Sequence, residues 1–510
     1  MVQFSTGQPV RRVEDARLAT GKGQYTDDLN LPNQIYGYVL RSPMAHGVIK
    51  RVDTSVAMKA PGVLGVLTGS DLEETGANSI PCLVPLDNRD GTKAPLPVRP
   101  VLCKDRARHV GDNIAFVVAE TFLQAKEAAE LIEVDYEAQD AAVETENALS
   151  EASPQVHAEA VGNVAFDWAH GDDEVVTSAF KAAKHIVSLK LINNRLIVNS
   201  METRAAIGDF DPITGKATLH TCTQGGWLLK DQIANHTLKI DPDLVRVLTP
   251  DVGGGFGMKS FYYPEQALCL WSARKFGRPI KWVGERSESF LSDTMGRDHV
   301  TNVKLAFDAE YRITGMQVDT VANMGAYLSN FAPFIPTLAA IKVMPGVYDI
   351  KTLYARVRGV FTHTVPVDAY RGAGRPESIY MIERLMDKAA KQLRIDRIEL
   401  RRKNFISSKA MPFTTTADEI YDSGDFEQVI NIVTKKADWN KFEERRGKTE
   451  ADGKKRGIGL CYYIESTMGD PGEAAEVRFE KDGTVSVLVG TQSNGQGHDT
   501  AYAQVTSDRL

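Results

Sequence analysis

Three consecutive glycines, Gly253, Gly254 and Gly255, stand in the segment Asp251-Val-Gly-Gly-Gly-Phe-Gly-Met-Lys259, between a strand-like run ending near Val252 and a helix that Pro264 can open. Glycines at such a place let the backbone approach a ligand closely, and the following helix N-terminus favours an anion. The order of strand, Gly-rich loop and helix belongs to layered folds that carry their sites at loop mouths. It recurs at Asp368-Ala-Tyr-Arg-Gly-Ala-Gly-Arg-Pro-Glu377, and again at Gly490-Thr-Gln-Ser-Asn-Gly-Gln-Gly-His498 after the alternating Val485, Val487 and Val489. A fourth segment, Thr221-Cys-Thr-Gln-Gly-Gly226, puts Gln224 just past a strand end. The first loop is neither GxGxxG nor GxxxxGK[ST], so an ordinary Rossmann or P-loop site is excluded. Read singly, each segment is equally a tight structural turn or a helix-entry loop.

Composition narrows the chemistry. The chain has 510 residues with a net charge of −7, enough length for several domains and no basic excess to hold a nucleic acid. Its five cysteines, Cys82, Cys103, Cys222, Cys269 and Cys461, form no CxxC pair. This argues against a disulfide framework, a zinc site or an iron–sulfur cluster within the chain, and suits a reduced, cytoplasmic setting. No apolar run approaches the roughly 20 residues of a membrane span. HExxH, GxSxG and clustered metal-ligand spacings are missing from the sequence, and His46, His299 and His498 read as surface or hydrogen-bonded loop residues. Donor-rich Gly, Gln and Arg loops without protein metal ligands fit a cofactor that brings its own metal ligands and needs only position and hydrogen bonds.

Along the chain, an N-terminal arm (1–14) precedes an α+β unit (15–137). In that unit β-rich runs at Gln34 to Leu40, Val63 to Thr68 and Asn113 to Val118 lead to a helix from Phe122. An Ala- and Glu-rich stretch (138–163) reads as a solvated linker, and 164–442 as a second unit with helices from Pro264 to Phe276 and from Glu377 to Leu393. The charge-rich 443–456 reads as an exposed loop before a last, β-rich piece within 457–510.

The ordered segments GGGFGMK, AYRGAGRPE and NGQGH, with Arg41-Ser-Pro-Met-Ala-His46 and Val110-Gly-Asp-Asn-Ile-Ala-Phe-Val-Val-Ala-Glu-Thr121, resemble the molybdenum-binding large subunit of the xanthine dehydrogenase, aldehyde oxidase and carbon monoxide dehydrogenase family. The resemblance spans nearly the whole chain. It implies an α+β fold, with an N-terminal α/β hammerhead domain followed by molybdopterin-binding domains, the second of them incomplete by Leu510. Carried over by position, Gln224 resembles the glutamine near the molybdenum's oxo ligand, and Gly254, Gly255 and Phe256 the loop beneath the metal. Arg371 resembles the arginine of the active-site loop, and Gly495, Gln496 and Gly497 the segment whose glutamine holds the pterin. No direct protein ligand to the metal is implied.

Departures from the family pattern bear on substrate. The position of the copper-holding cysteine of carbon monoxide dehydrogenases is Gly372, and Ser260 and Ala373 replace the glutamate and aromatic of the purine enzymes. With Tyr370 these residues are the implied substrate pocket, roomier than in the purine enzymes. The implied cofactor is molybdenum–molybdopterin in its cytosine dinucleotide form. The implied activity is hydroxylation of an aldehyde or N-heteroaromatic carbon with water-derived oxygen. Electrons leave to a small iron–sulfur subunit and a medium FAD subunit, in a dimer of heterotrimers. The family's basic glutamate lies in a Gly-Glu turn after NGQGH, so it is expected beyond Leu510. Gly284-Glu285 and Gly472-Glu473 come too early and read as exposed turns. The alternative is a catalytically incompetent fragment or an assembly component.

Overall fold

The computed structural model describes residues 4–467, 469 and 472–510. Strand Asn113–Ala119 is buried along its whole length, as its unbroken Ile-Ala-Phe-Val-Val-Ala run requires of a strand covered on both faces. One face presents Ala115, Val117 and Ala119 to Ala125, Ala128 and Ala129 of helix Phe122–Ala129. Phe116 and Val118 belong to a larger core with Leu268 and Leu270 of helix Pro264–Phe276. That helix starts at Pro264 and stops at Gly277, whose φ of +66° gives a left-handed cap.

The sheet around this strand joins the first unit to the second. Its order is Val245–Leu248, Ala217–Thr221, Ala205–Phe210, Ile280–Val283, Ile35–Arg41, Asn113–Ala119 and Val63–Thr68. Ile35 pairs in parallel with Ile280, which pairs antiparallel with Gly208. Gly208 is required for packing, since a Cβ there would lie 2.4 Å from the Cys269 carbonyl carbon in the overlying helix. The 138–163 stretch therefore does not separate two independent sheets.

A buried ion network crosses the same junction. Arg41 donates to Glu265 at 2.7 Å and to Glu288 at 2.8 Å, while Arg204 donates to Glu265 at 2.6 Å and to Asp293 at 2.7 Å. Burial opposes ionisation of Glu265, yet the Arg204 and Arg41 guanidiniums hold its carboxyl down at about 2.

A second sheet, in the order Val164–Gly171, Leu353–Phe361, Ile313–Gly325, His299–Phe307 and His185–Asn193, packs its core against helix Arg375–Leu393. A small three-stranded sheet (Arg106–Ala107, Gly47–Asp53, Glu133–Ala138) completes the N-terminal part.

Several local expectations need correction. The strand-like run expected to end near Val252 is Val245–Leu248, leaving 249–252 as a loop. The supposed solvated linker buries Ala142, Ala148, Val156 and Ala160, because these alanines and the valine interrupt its polar pattern at packing positions. The charged loop at 443–456 is mostly helix, Phe442–Ala451, with Glu444 and Lys448 paired at 2.6 Å one turn apart. Of the last β-rich stretch, the hairpin Ala475–Phe479 and Val485–Val489 is strand. His299 is a buried strand residue, and Glu285 caps a helix and pairs with Lys126 at 2.8 Å. No helix among the described residues is long and apolar enough to cross a membrane.

Candidate functional site

Gln224 follows strand Ala217–Thr221 and is fixed from two sides. Its backbone N–H donates to Lys259 O at 3.0 Å, and its side-chain Oε1 accepts from Gly257 N at 2.9 Å. With Oε1 occupied, the Gln224 amide presents Nε2, which has no partner among the described residues. Gly255 must be glycine for this arrangement. A Cβ there would fall 2.3 Å from Gln224 Oε1. Gly257 has φ +98°, and a Cβ would lie 2.7 Å from Ala369 O, so the loop turns here directly against the 368–377 segment.

Phe256, with φ +54° and 42% exposed, stands between the two loops. Phe256 O accepts from Arg371 N at 2.9 Å, and the Arg371 guanidinium lies 5.8 Å from the ring centroid. That guanidinium has no hydrogen-bonded or ion-pair partner among the described residues and is solvent-facing. Arg375, by contrast, donates to Glu465 at 2.8 Å.

The 368–377 loop is held from behind. Arg297 donates to Tyr370 O at 3.0 Å, to Arg371 O at 2.7 Å and to Glu377 Oε1 at 3.0 Å, and its guanidinium lies 4.9 Å from the Tyr370 ring centroid. Ala373 closes the turn by donating to Tyr370 O at 2.7 Å. Asp368 accepts from Phe331 N at 2.9 Å and Ala369 N at 2.7 Å, and its deep burial pushes its carboxyl up to about 7 against those N–H donors. Gly372 abuts Pro376, and Ser260 donates through its N–H to Gly257 O at 3.0 Å. These pocket candidates therefore sit on the two joined loops.

The 490–498 loop meets the same cluster, since Gln492 Nε2 donates to Thr223 O. Gln496 turns inward on its own loop, with Nε2 donating to Gln492 O at 3.2 Å and Oε1 accepting from Asn494 N. Gly495 is exposed, whereas Gly497 is buried beside Arg12 and Glu14 of the N-terminal arm. Beside this loop opens a cleft of about 440 Å³, whose walls include Arg12, Arg17, Lys22, Val252, Gln492 and Gly495.

All four Gly-rich segments thus converge. Among the described residues no group of three or more His, Cys, Asp and Glu side chains could hold a metal ion. The donors that do converge, an amide, a guanidinium and turn backbone, suit a group that arrives with its own metal ligands.

Comparison with known proteins places these loops within domains of known families. Residues 156–405 match the family model of the molybdopterin cofactor-binding domain, and residues 20–140 that of the aldehyde oxidase and xanthine dehydrogenase a/b hammerhead domain. Residues 432–510 match a further molybdopterin cofactor-binding domain model. The chain belongs to the molybdenum-binding large-subunit family of these oxidoreductases.

Within that large-subunit family, the chain is 31% identical to the nicotine 6-hydroxylase large subunit of Paenarthrobacter nicotinovorans, over 99% of this chain and 62% of the relative. It is 30% identical to the carbon monoxide dehydrogenase large chain of Hydrogenophaga pseudoflava, over 98% of this chain and 64% of that one. The crystal structure of quinoline 2-oxidoreductase from Pseudomonas putida 86 superimposes with a TM-score of 0.91 at 30% identity, over 99% of this chain and 64% of the other. The chain spans less than two thirds of the length of these relatives.

Sequence reasoning passed over Glu202, Lys259, Arg297 and Asp368, which hold the large-subunit loops without lying on their exposed side. One signal was present for Lys259. A lysine flanked by Met258, Phe261, Tyr262 and Tyr263 is headed for burial and needs a carboxylate.

Proposed function

We propose that this chain forms the cofactor-binding part of a molybdenum hydroxylase that oxidises a C–H carbon of an N-heteroaromatic or an aldehyde with water-derived oxygen. The observation that carries this reading is Gln224: its carbonyl is taken by Gly257 N–H of the loop that carries Phe256 and holds Arg371 N, and its amide N–H is left without a partner among the described residues. A bound molybdenum cofactor supplies the oxygen-transfer and two-electron redox chemistry. Gln224 then donates an amide hydrogen bond to it, and Gly254, Gly255 and Phe256 give it close backbone approach. Arg371 contributes a cation and a planar set of donors. Gly495, Gln496 and Gly497 belong to the pterin side, where the Gln496 amide can donate only once freed from Gln492 O and Asn494 N.

Ser260, Tyr370, Gly372 and Ala373 form the substrate side. The names of two relatives, nicotine 6-hydroxylase and quinoline 2-oxidoreductase, favour a flat N-heteroaromatic. Gly372 cannot bind copper, which disfavours carbon monoxide. Neither Ser260 nor Ala373 can reproduce a carboxylate contact and ring stack on a purine. The cytosine dinucleotide form of the cofactor, the iron–sulfur and FAD partner subunits, a dimer of heterotrimers and a cytoplasmic location belong to the same reading. The basic glutamate is assigned to no residue of this chain.

Dye-linked oxidation by the native complex tests the substrate class. Turnover of quinoline- or pyridine-type rings or of aldehydes, with ¹⁸O from water in the product, supports it. Turnover confined to hypoxanthine or carbon monoxide would overturn it.

A further inference from the structure

Glu202 lies outside every Gly-rich segment, just before strand Ala205–Phe210, yet it grips the 253–259 loop at both ends. Its Oε2 accepts from Gly253 N at 2.8 Å and from Lys259 Nζ at 2.8 Å, and its own N–H donates to Gly253 O at 3.1 Å. The approach at the first end is tight, for a Cβ on Gly253 would lie 2.5 Å from Glu202 Cβ. At the second end the Lys259 side chain is 0% exposed, and an ammonium so buried is tolerated only beside a counter-charge. One carboxylate oxygen therefore closes the loop into a ring.

The consequence reaches the cofactor side through backbone atoms. Lys259 O accepts from Gln224 N at 3.0 Å and from Thr223 Oγ1 at 3.0 Å. Within the ring, Gly257 N holds the Gln224 side chain. Main chain and amide of Gln224 are thus both referenced to a loop whose ends Glu202 ties. The other oxygen, Glu202 Oε1, is buried without a partner among the described residues.

We propose that Glu202, with Lys259, is a positioning residue that sets the orientation of the Gln224 amide and of the Gly255–Phe256 turn toward the cofactor. This inference rests on the function proposed above. Replacing Glu202 by glutamine can keep an acceptor oxygen on Gly253 N and Lys259 Nζ but removes the negative charge that compensates the buried Lys259 ammonium. A Glu202→Leu/Lys259→Met double variant removes both charges at similar volume but leaves Gly253 N untied.

The test uses the native complex and reads molybdenum per polypeptide, the Mo(V) electron paramagnetic resonance spectrum, Tm, and kcat and KM separately. Positioning predicts that Glu202→Gln loses at least fivefold in bound molybdenum, or keeps it with a shifted spectrum and a kcat lowered tenfold or more at little-changed KM. Glu202→Asp restores part of the loss. The double variant regains the parental Tm without regaining the parental molybdenum content or spectrum. A double variant that recovers Tm, molybdenum, spectrum and kcat together would make the pair structural alone and overturn the inference. A parent complex without molybdenum would instead overturn the proposed function, and this inference with it.

Discussion

Gln224 Oε1 accepts the Gly257 N–H at 2.9 Å, and a methyl group on Gly255 would sit 2.3 Å from that same oxygen. The Gln224 amide, proposed to face the cofactor, is therefore wedged between a bond and a steric limit. Gly255→Ala is expected to rotate the Gln224 amide and lower turnover at least tenfold. Its effect on stability should stay within about 1–3 kcal/mol, the usual range for one added methyl group in a packed site. Steady-state kinetics with urea unfolding checks both; unchanged turnover would show that the amide's setting does not matter.

Arg371 contributes its N–H to Phe256 O and leaves its guanidinium in solvent above the Phe256 ring. Arg371→Ala keeps the backbone bond, so folding stability should change by less than about 1 kcal/mol while cofactor retention or turnover falls. A stability loss of about 2 kcal/mol or more, of the size of a core cavity, would instead make Arg371 structural.

Arg297 neutralises the buried Glu377 and donates to two loop carbonyls. Removing it strands a carboxylate whose second oxygen already lacks a partner among the described residues. Arg297→Ala is expected to cost about 3–5 kcal/mol. Arg297→Lys should recover only part, because a point ammonium cannot reproduce the planar fork. Equal stability of the alanine and parent proteins in urea would contradict this.

Acid should loosen the junction between the N-terminal part and the rest. The His46 ring stacks on His363 with centroids 3.9 Å apart, and Arg106 donates to His46 Nε2 at 2.6 Å. Burial, the His46 ring and Arg108 push His363 down to about 3, and burial pushes His157 down to about 4. Both folded values lie below the ordinary 6.5, so the unfolded chain takes up protons first as pH falls. The contribution of these two histidines is full above 6.5 and declines below it, by on the order of 2 kcal/mol for each at pH 5. The Glu265 network loses its contribution only below 4.5, but Asp368, held up to about 7, gains stability over the same interval, so the histidine contribution is read as the difference between the parent and a His157→Gln variant. A urea midpoint that shifts between pH 7.5 and pH 5 by the same amount in the parent and in the His157→Gln variant would contradict the prediction.

Much of the fold was legible because its signals are local. Pro264 and Gly277 bracket their helix, and the Asn113–Ala119 run is apolar enough to demand cover on both faces. The Gly-rich segments were legible as loops, and a side chain at Gly253, Gly255 or Gly257 would clash with a neighbouring residue. What the sequence hid is long-range. Ile35 pairs with Ile280 across 245 positions, so the unit boundary read from composition does not divide the sheet. Glu202 and Arg297 hold their loops through contacts 51 to 80 positions distant, which no local pattern encodes. Gln496, read as a pterin donor, has its amide engaged by its own loop.

Metal and pterin analysis of the purified native complex tests the central claim most directly. The account predicts close to one molybdenum per chain, with pterin fluorescence released on oxidation and both lost in parallel in Gln224 and Gly255 variants. A correctly folded complex holding neither molybdenum nor pterin would contradict it.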